Sequence, residues 1–332
     1  MTGDPGATET SRADIAEAAS RLRAGGVVAF PTETVYGLGA DATNANAVQR
    51  VYAVKGRPPD HPIIVHLASA AELDAYAVDV TGAARALARA CWPGPLTLVV
   101  KLRAGAVASE VTGGRSTVAL RVPAHPVALA LLAAVGRGVA APSANRFGRV
   151  SPTTAAHVRA DLGEDVDFVL DGGPTAIGVE STIVDCSRPR PAILRLGGVT
   201  AATIDALVGG PVDVLIRGEV AAPGTLERHY SPAARVVVVE PDDVLACATA
   251  LVERATRVGI LAISPPRGLP GAVEVLGSPA DADEYARVLY ARLREADERR
   301  LDVLLVVAPP PAGIGAAVTD RLTRAAAGGR LA

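Results

Sequence analysis

The strongest constraint on the fold is an alternation of short apolar runs with helix-like segments, interrupted once near residue 210. Beyond the interruption the alternation is regular, with strand-like runs at 236–239, 258–263, 273–276 and 303–307. Strands that alternate with helices favour a parallel sheet, because a helix is the usual crossover between parallel strands. We therefore predict a small Rossmann-like parallel α/β domain over residues 235–332.

The interruption itself predicts a linker over residues 211–234, which contains Pro223-Gly224 and Ser231-Pro232 but few consecutive core residues. Long loops of this kind are often functional. We expect residues 211–232 to form a lid that closes over the amino-terminal domain and carries Tyr230 to a bound nucleotide. The alternative is a flexible tether, with Tyr230 docked on the carboxyl-terminal domain.

Residues 13–210 predict a larger α/β domain that follows a disordered polar tail at residues 1–12. Its first elements are a helix over 15–24, a strand over 27–30 and a helix over 45–54. The tail has no apolar run of the kind found in signal peptides.

Composition limits the class of protein. The 332 residues are 49% hydrophobic and 20% charged, which suits two globular cores. A net charge of −2 excludes a strongly basic coat for nucleic acid, and 3% aromatic residues argue against a base-stacking platform. The three cysteines are widely spaced and no apolar run is long enough for a membrane span. We expect a cytoplasmic protein without a membrane partner.

A candidate phosphate site lies between Phe30 and His66, where hydroxyls, glycines and cations flank apolar runs. Lys55-Gly56-Arg57 stands out, because Lys55 and Lys101 are the only lysines in a chain rich in arginine. Glycine allows close backbone approach, and lysine and arginine neutralise phosphate oxygens. The alternative is a solvent-exposed loop in which Lys55 and Arg57 have no function.

Ten short motifs, in order along the chain, extend this pattern. They are Pro31–Leu38, Lys55–Pro58, Trp92–Thr97, Arg121–Pro126, Ala141–Asn145, Ser151–Thr153, Asp171–Gly173, Glu180–Ile183, Ala222–Pro232 and Glu284–Leu322. Together they resemble the YrdC-like family, in its two-domain threonylcarbamoyl-AMP synthase form. The resemblance implies a twisted-sheet α/β domain with a central cavity, followed by the smaller parallel domain.

The resemblance also implies a nucleotidyltransferase that joins L-threonine, bicarbonate and ATP into threonylcarbamoyl-AMP and pyrophosphate. A separate threonylcarbamoyl transferase complex then modifies an adenosine next to the anticodon of tRNA. Mg²⁺ is expected to arrive with ATP rather than in a protein metal site. The resemblance leaves open a weak direct contact with tRNA.

Matching the family's motifs position by position gives two expected sets of site residues. The expected ATP contacts are Lys55, Arg57, His61, Thr117, Ser143, Ser151, Arg195 and Tyr230, with Lys55 and Arg57 as the catalytic cations. The expected threonine contacts are Thr34, His66, Arg121, Ala141 and Ser181. His61 departs from the family, where asparagine is common, so its contact with nucleotide stays open.

Two other functions compete with this interpretation. The YrdC-like fold can serve as a nucleic-acid-binding module, although the near-neutral charge weakens that idea. A YrdC-like domain also takes part in carbamoyl transfer during hydrogenase maturation, but the zinc-finger cysteines of that setting are missing from this sequence. Pyrophosphate release that requires both threonine and bicarbonate would discriminate among the three functions.

Overall fold

The computed structural model describes residues 10–215 and 230–327, which divide into two compact units. Of the described residues, the first unit contains 10–147, 151–176 and 180–215. The second contains 148–150, 177–179 and 230–327. The two short pieces of the second unit come from the middle of the predicted larger domain, which the sequence pattern did not indicate.

Both units contain helices and strands. The helices are α1 (Arg12–Arg23), α2 (Ala45–Lys55), α3 (Leu73–Tyr76), α4 (Gly82–Cys91), α5 (Ser109–Thr112), α6 (Pro126–Val135), α7 (Ala155–Leu162), α8 (Ala201–Val208), α9 (Val244–Glu253), α10 (Ala282–Glu298) and α11 (Gly315–Ala326). The strands are β1 (Val28–Phe30), β2 (Gly37–Asp41), β3 (Ile64–His66), β4 (Leu96–Lys101), β5 (Thr117–Arg121), β6 (Val139–Ala140), β7 (Phe168–Val169), β8 (Thr182–Asp185), β9 (Ala192–Arg195), β10 (Asp213–Val214), β11 (Arg235–Val238), β12 (Val258–Leu261), β13 (Glu274–Gly277) and β14 (Val303–Val306).

The first unit is built on a mixed sheet. Across the described residues its ten strands run in the order β10-β9-β8-β4-β5-β3-β6-β2-β1-β7. Strands β3 and β5 are parallel, whereas β3 and β6 are antiparallel. Helices α2, α4 and α7 contribute buried apolar residues to the largest core cluster, which includes Val51, Leu87 and Val158. This core leaves the ends of the central strands to carry polar side chains.

The second unit contains a parallel sheet, as predicted. Its four strands within the described residues run in the order β11-β14-β12-β13, and every neighbouring pair is parallel. Val244, Leu251, Ile260 and Leu305 belong to its buried apolar cluster. Parallel strands are usually joined by helices, and α9 lies between β11 and β12 and α10 between β13 and β14, whereas α11 follows β14.

Local capping explains where the first helix begins. Helix α1 starts at Arg12, three residues before the apolar pattern predicts. The Asp14 backbone N–H donates to the Ser11 hydroxyl oxygen, and the Ser11 backbone N–H donates to the Asp14 carboxylate. This reciprocal capping box satisfies two helix-terminal donors. Ser11 and Arg12, which the sequence pattern assigned to a disordered tail, therefore belong to the helix and its cap.

Strand β2 is the main element that the sequence pattern missed. Its residues Gly37, Leu38 and Gly39 have weak strand propensity, yet they pair with β1, and Ala40 and Asp41 pair with β6. Tertiary pairing therefore overrides local propensity here. Gly39 is required by packing, because a Cβ there would lie 2.8 Å from atoms of both Phe30 and Val139.

Within the described residues, no helix combines the length and apolar character required to cross a bilayer.

Candidate active site

Three predicted threonine contacts meet at the ends of adjacent strands. His66 ends β3 and lies opposite Arg121, the last residue of β5. Ala141 follows β6, and its backbone N–H donates to the Ile64 carbonyl of β3 at 2.8 Å. Pairing in register puts neighbouring side chains on one face of the sheet. The fold therefore brings together His66, Arg121 and Ala141, which are distant in sequence.

Arg121 is held by two partners from different loops. Its Nη2 lies 2.7 Å from Oε1 of Glu33 in an ion pair in which both side chains are buried. Its Nε donates to the Gly94 carbonyl at 3.3 Å. Gly94 belongs to the packed turn after Trp92, whose Nε1 donates to the Leu96 carbonyl at 2.7 Å. The turn thus fixes the guanidinium, which suits Arg121 to bidentate binding of a carboxylate.

Ser181 lies in a second polar cluster next to β4 and β9. Its Oγ is 2.7 Å from the hydroxyl of Thr97. Nη2 of Arg195 donates to the Ser181 Oγ at 3.1 Å and to the Ser181 carbonyl at 2.9 Å. Gly197 allows this crowding, because a Cβ there would lie 2.3 Å from the Glu180 carbonyl oxygen. One predicted threonine contact and one predicted ATP contact therefore share a hydrogen bond.

Lys55 is the last residue of α2, and its side chain is 3% exposed. Its Nζ donates to the carbonyls of Ser143 and Asn145, each at 2.5 Å. Burial lowers the pKa of the Lys55 ammonium well below its usual value, and the nearby Arg57 charge acts in the same direction. The lysine is thus locked beside the loop that holds Ser143.

Gly56 separates the two cations of the Lys55–Arg57 triplet. It ends α2 at φ +63°, in the left-handed region that glycine adopts readily. Arg57 then turns away from the helix, and its Nη2 donates to the Pro62 carbonyl at 3.1 Å. Arg57 also lines an open cavity of about 500 Å³ together with Tyr52, Pro59 and other residues of this region.

His61 and Arg57 both lie near Phe147. The His61 and Phe147 rings are 5.9 Å apart, and the Arg57 guanidinium carbon lies 5.9 Å from the Phe147 ring. Burial and then the charge of Arg57 lower the pKa of His61. These contacts bring His61 close to Arg57, while its contact with nucleotide stays a prediction.

The loops before β2 and after β6 complete the polar surface. Ser143 forms a bridge with Gly37, and the Tyr36 N–H donates to the Pro152 carbonyl at 2.9 Å. Ser151 is fully buried, and its hydroxyl donates to Oε1 of Glu180 at 2.8 Å. The residue after Glu180 is Ser181, so Ser151 is linked through Glu180 to the Ser181 cluster.

Thr34 is fully buried beside Thr32, with 2.8 Å between the two hydroxyl oxygens. Thr32 also donates its hydroxyl proton to the Val35 carbonyl at 2.6 Å. A hydroxyl has one proton to donate, so Thr34 is the donor in the pair. The Thr34 oxygen keeps lone pairs that can accept a hydrogen bond from a ligand.

Two predicted ATP contacts are not members of these clusters. Thr117 begins β5, and Arg121 ends it, so about 13 Å of strand separates them. Tyr230 belongs to the second unit, where its ring stacks 5.5 Å from Tyr290 and lies 5.3 Å from the Arg321 guanidinium carbon. Residues 216–229 of the predicted lid lie outside the described residues. The lid and the Tyr230 contact with ATP stay predictions.

Glu33 and Glu180 lie inside the sequence motifs, but no role was predicted for either residue. Both carboxylates are 6% exposed, and each lies beside a predicted site residue. Carboxylates are almost never this buried unless they are paired. The burial of Glu33 and Glu180 therefore points to a functional role, which the sequence alone does not reveal. Within the described residues, no cluster of three or more His, Cys, Asp or Glu side chains could hold a metal ion.

His66 gives the site a measurable dependence on pH. Burial, followed by the Arg121 charge, lowers the pKa of His66 to about 3. Below pH 6.5 the unfolded chain therefore binds a proton that the folded chain excludes, and folding stability falls as the pH falls from 6.5 towards 3.

We expect wild type to lose about 2 kcal/mol more unfolding free energy than His66→Gln between pH 7 and pH 5. Urea denaturation of both proteins at the two pH values measures this difference. Equal losses in the two proteins would mean that His66 is protonated as easily in the folded chain as in the unfolded chain.

Known proteins and family models match this chain along nearly its whole length. Residues 20–197 match the family model described as telomere recombination. Residues 199–327 match the model described as the C-terminal domain of threonylcarbamoyl-AMP synthase. The threonylcarbamoyl-AMP synthase of Bacillus subtilis is 41% identical, and the alignment covers 97% of this chain and 95% of that protein.

A relative from Pyrococcus abyssi is similar to this chain in both sequence and structure. The threonylcarbamoyl-AMP synthase of Pyrococcus abyssi is 42% identical over 93% of this chain and 92% of its own length. The crystal structure of P. abyssi Sua5 complexed with L-threonine has a TM-score of 0.88 at 40% identity and covers 94% of both chains. This likeness confirms the predicted fold class. With such identity over both units, the chain belongs to the threonylcarbamoyl-AMP synthase family.

Proposed function

We propose that this chain is an L-threonylcarbamoyladenylate synthase. It converts L-threonine, bicarbonate and ATP into threonylcarbamoyl-AMP and pyrophosphate, for modification of the adenosine next to the anticodon of tRNA. The observation that carries the proposal is a set of buried polar side chains in the first unit, above all Arg121 and His66 at the ends of β5 and β3 and Lys55 at the end of α2. Family membership supports the same activity.

Threonine recognition rests on the β3–β5 strand ends. Arg121 binds the carboxylate, because its guanidinium is buried and fixed by Glu33 and Gly94. Nδ1 of His66 is buried and has no hydrogen-bond partner among the described residues, so it can accept the threonine hydroxyl. The hydroxyls of Thr34 and Ser181 add acceptors and donors to the same pocket. A bound threonine thus satisfies groups that are otherwise costly to bury.

Phosphate recognition rests on the cations around the Ser143 loop. The reaction breaks the bond between the α- and β-phosphates of ATP and forms a bond from the carbamate oxygen of N-carboxythreonine to the α-phosphorus. Two anions approach each other in this step, so positive charge that is already in place lowers the barrier. Arg57 and Arg195 supply that charge, and the hydroxyls of Ser143 and Ser151 supply further donors. The pKa of Lys55 is lowered by burial, but nearby phosphate charges favour its charged form, so Lys55 joins them when ATP binds.

Mg²⁺ enters as a complex with ATP in this proposal, and bicarbonate supplies the carbamate carbon. Mg²⁺ commonly binds through substrate phosphates with few protein carboxylates. We also infer a cytoplasmic location, because the reaction uses ATP and serves tRNA. A separate threonylcarbamoyl transferase complex is the partner that consumes the product.

The activity is tested by pyrophosphate release from Mg-ATP by the purified full-length chain. We expect release only when L-threonine and bicarbonate are both present. Omission of either one, with all other components unchanged, is the matched control. Steady release without threonine would indicate simple ATP hydrolysis and would contradict the proposed function.

A further inference from the structure

A buried carboxylate in the first unit lacks hydrogen-bond donors. Glu33 is 6% exposed, and among the described residues neither of its carboxylate oxygens accepts a hydrogen bond. Its ion pair with Nη2 of Arg121 is short, at 2.7 Å, but the angles are not those of a hydrogen bond. Burying a carboxylate without donors is costly, so such a group points to a ligand that donates protons.

The surroundings of Glu33 define the charge of that ligand. Arg121 is the cation on one side, and its charge already offsets that of Glu33. On another side lies His125, which caps α6 and whose ring is within the electrostatic influence of Glu33. Burial lowers the pKa of His125, which disfavours the charged form of its imidazole. The Glu33–Arg121 pair is thus one positive and one negative charge side by side.

We propose that Glu33 and Arg121 together recognise the zwitterion of the amino acid, with Arg121 on the carboxylate and Glu33 on the α-ammonium group. This inference rests on the proposed function and adds Glu33 to its threonine site. The two charged groups of an α-amino acid are attached to one carbon, so a receptor needs opposite charges a few ångströms apart. The buried ion pair meets that requirement before substrate arrives.

A structural role for Glu33 makes a different prediction. If Glu33 only held Arg121 in place, it would affect every carboxylate ligand equally. If Glu33 competed with substrate for Arg121, its removal would strengthen the binding of every carboxylate ligand. An ammonium contact instead affects only ligands that carry the ammonium group.

The experiment compares L-threonine with (R)-3-hydroxybutanoate, which keeps the carboxylate, hydroxyl and methyl groups but lacks the amine. Isothermal titration calorimetry gives Kd for each ligand with wild type and with Glu33→Gln. We expect Glu33→Gln to raise the threonine Kd roughly 10- to 100-fold more than it changes the hydroxybutanoate Kd, as for a lost hydrogen bond to a charged group.

Asp41→Asn is the matched control, because Asp41 is also a buried carboxylate in an ion pair, and its partner, Arg137 at 3.0 Å, is not a predicted site residue. It is expected to leave both Kd values unchanged. If Glu33→Gln does not fold, judged by circular dichroism, Glu33→Asp replaces it, since withdrawing the carboxylate by one methylene should also weaken threonine selectively.

An equal change in both Kd values, in either direction, would overturn the ammonium assignment and leave the proposed function intact. Wild-type protein that binds neither ligand would overturn the proposed function as well. The two failures are therefore distinguishable in one set of titrations.

Discussion

We expect L-valine to support pyrophosphate release with a kcat/KM on the order of 10⁴-fold below that of L-threonine. Valine has the shape of threonine but replaces the hydroxyl with a methyl group. Bound valine would leave the buried Nδ1 of His66 without a hydrogen bond, because that nitrogen has no other partner among the described residues. Unpaired buried polar groups are far more costly than a lost methyl contact.

L-Serine provides the comparison for size. It keeps the hydroxyl and lacks one methyl group, so its kcat/KM should fall only about 10- to 200-fold. Steady-state pyrophosphate release with the three amino acids, at saturating ATP and bicarbonate, measures both ratios. Comparable rates with valine and threonine would mean that no buried group recognises the hydroxyl.

Loss of either cation of the Lys55–Arg57 triplet lowers adenylate formation by roughly 100- to 1000-fold. Removal of one preorganised donor from a site of developing negative charge typically costs this much. Both Lys55→Ala and Arg57→Ala are expected to show the loss. Turnover is measured by pyrophosphate release at saturating ATP, threonine and bicarbonate.

Lys101→Ala is the matched control, because Lys101 is the other lysine of the chain and its exposed ammonium pairs with Asp79 at 3.2 Å. It should retain wild-type turnover. Lys55→Ala is also expected to lower the melting temperature, since the Ser143 and Asn145 carbonyls lose a donor. Near wild-type turnover in both site variants would show that neither cation takes part in the reaction.

The sequence predicted the elements of the fold better than their pairing. Helix α2 was predicted within one residue of its end, because its apolar spacing is regular and Gly56 terminates it. Strand β2 was missed because its glycines have little preference for strands, and the neighbouring strands determine its conformation. The parallel sheet of the second unit was predicted because alternating strands and helices have few other solutions.

The site was predictable as a set of residues but not as a set of contacts. Motif positions pointed to Lys55 and Ser143 separately, whereas their hydrogen bond depends on how the loop after β6 meets the end of α2. Glu33 was passed over because its burial against Arg121 arises only when a loop meets the end of β5. Such long-range pairs follow from topology rather than from any local pattern.

The central claim is that one chain joins threonine, bicarbonate and ATP into a single product. Incubation with ¹³C-bicarbonate, L-threonine and Mg-ATP, followed by mass spectrometry of the quenched mixture, tests it most directly. We predict threonylcarbamoyl-AMP that carries one ¹³C atom, formed in equal amount to pyrophosphate. Pyrophosphate accompanied by AMP alone, with no labelled adenylate at early times, would contradict the account.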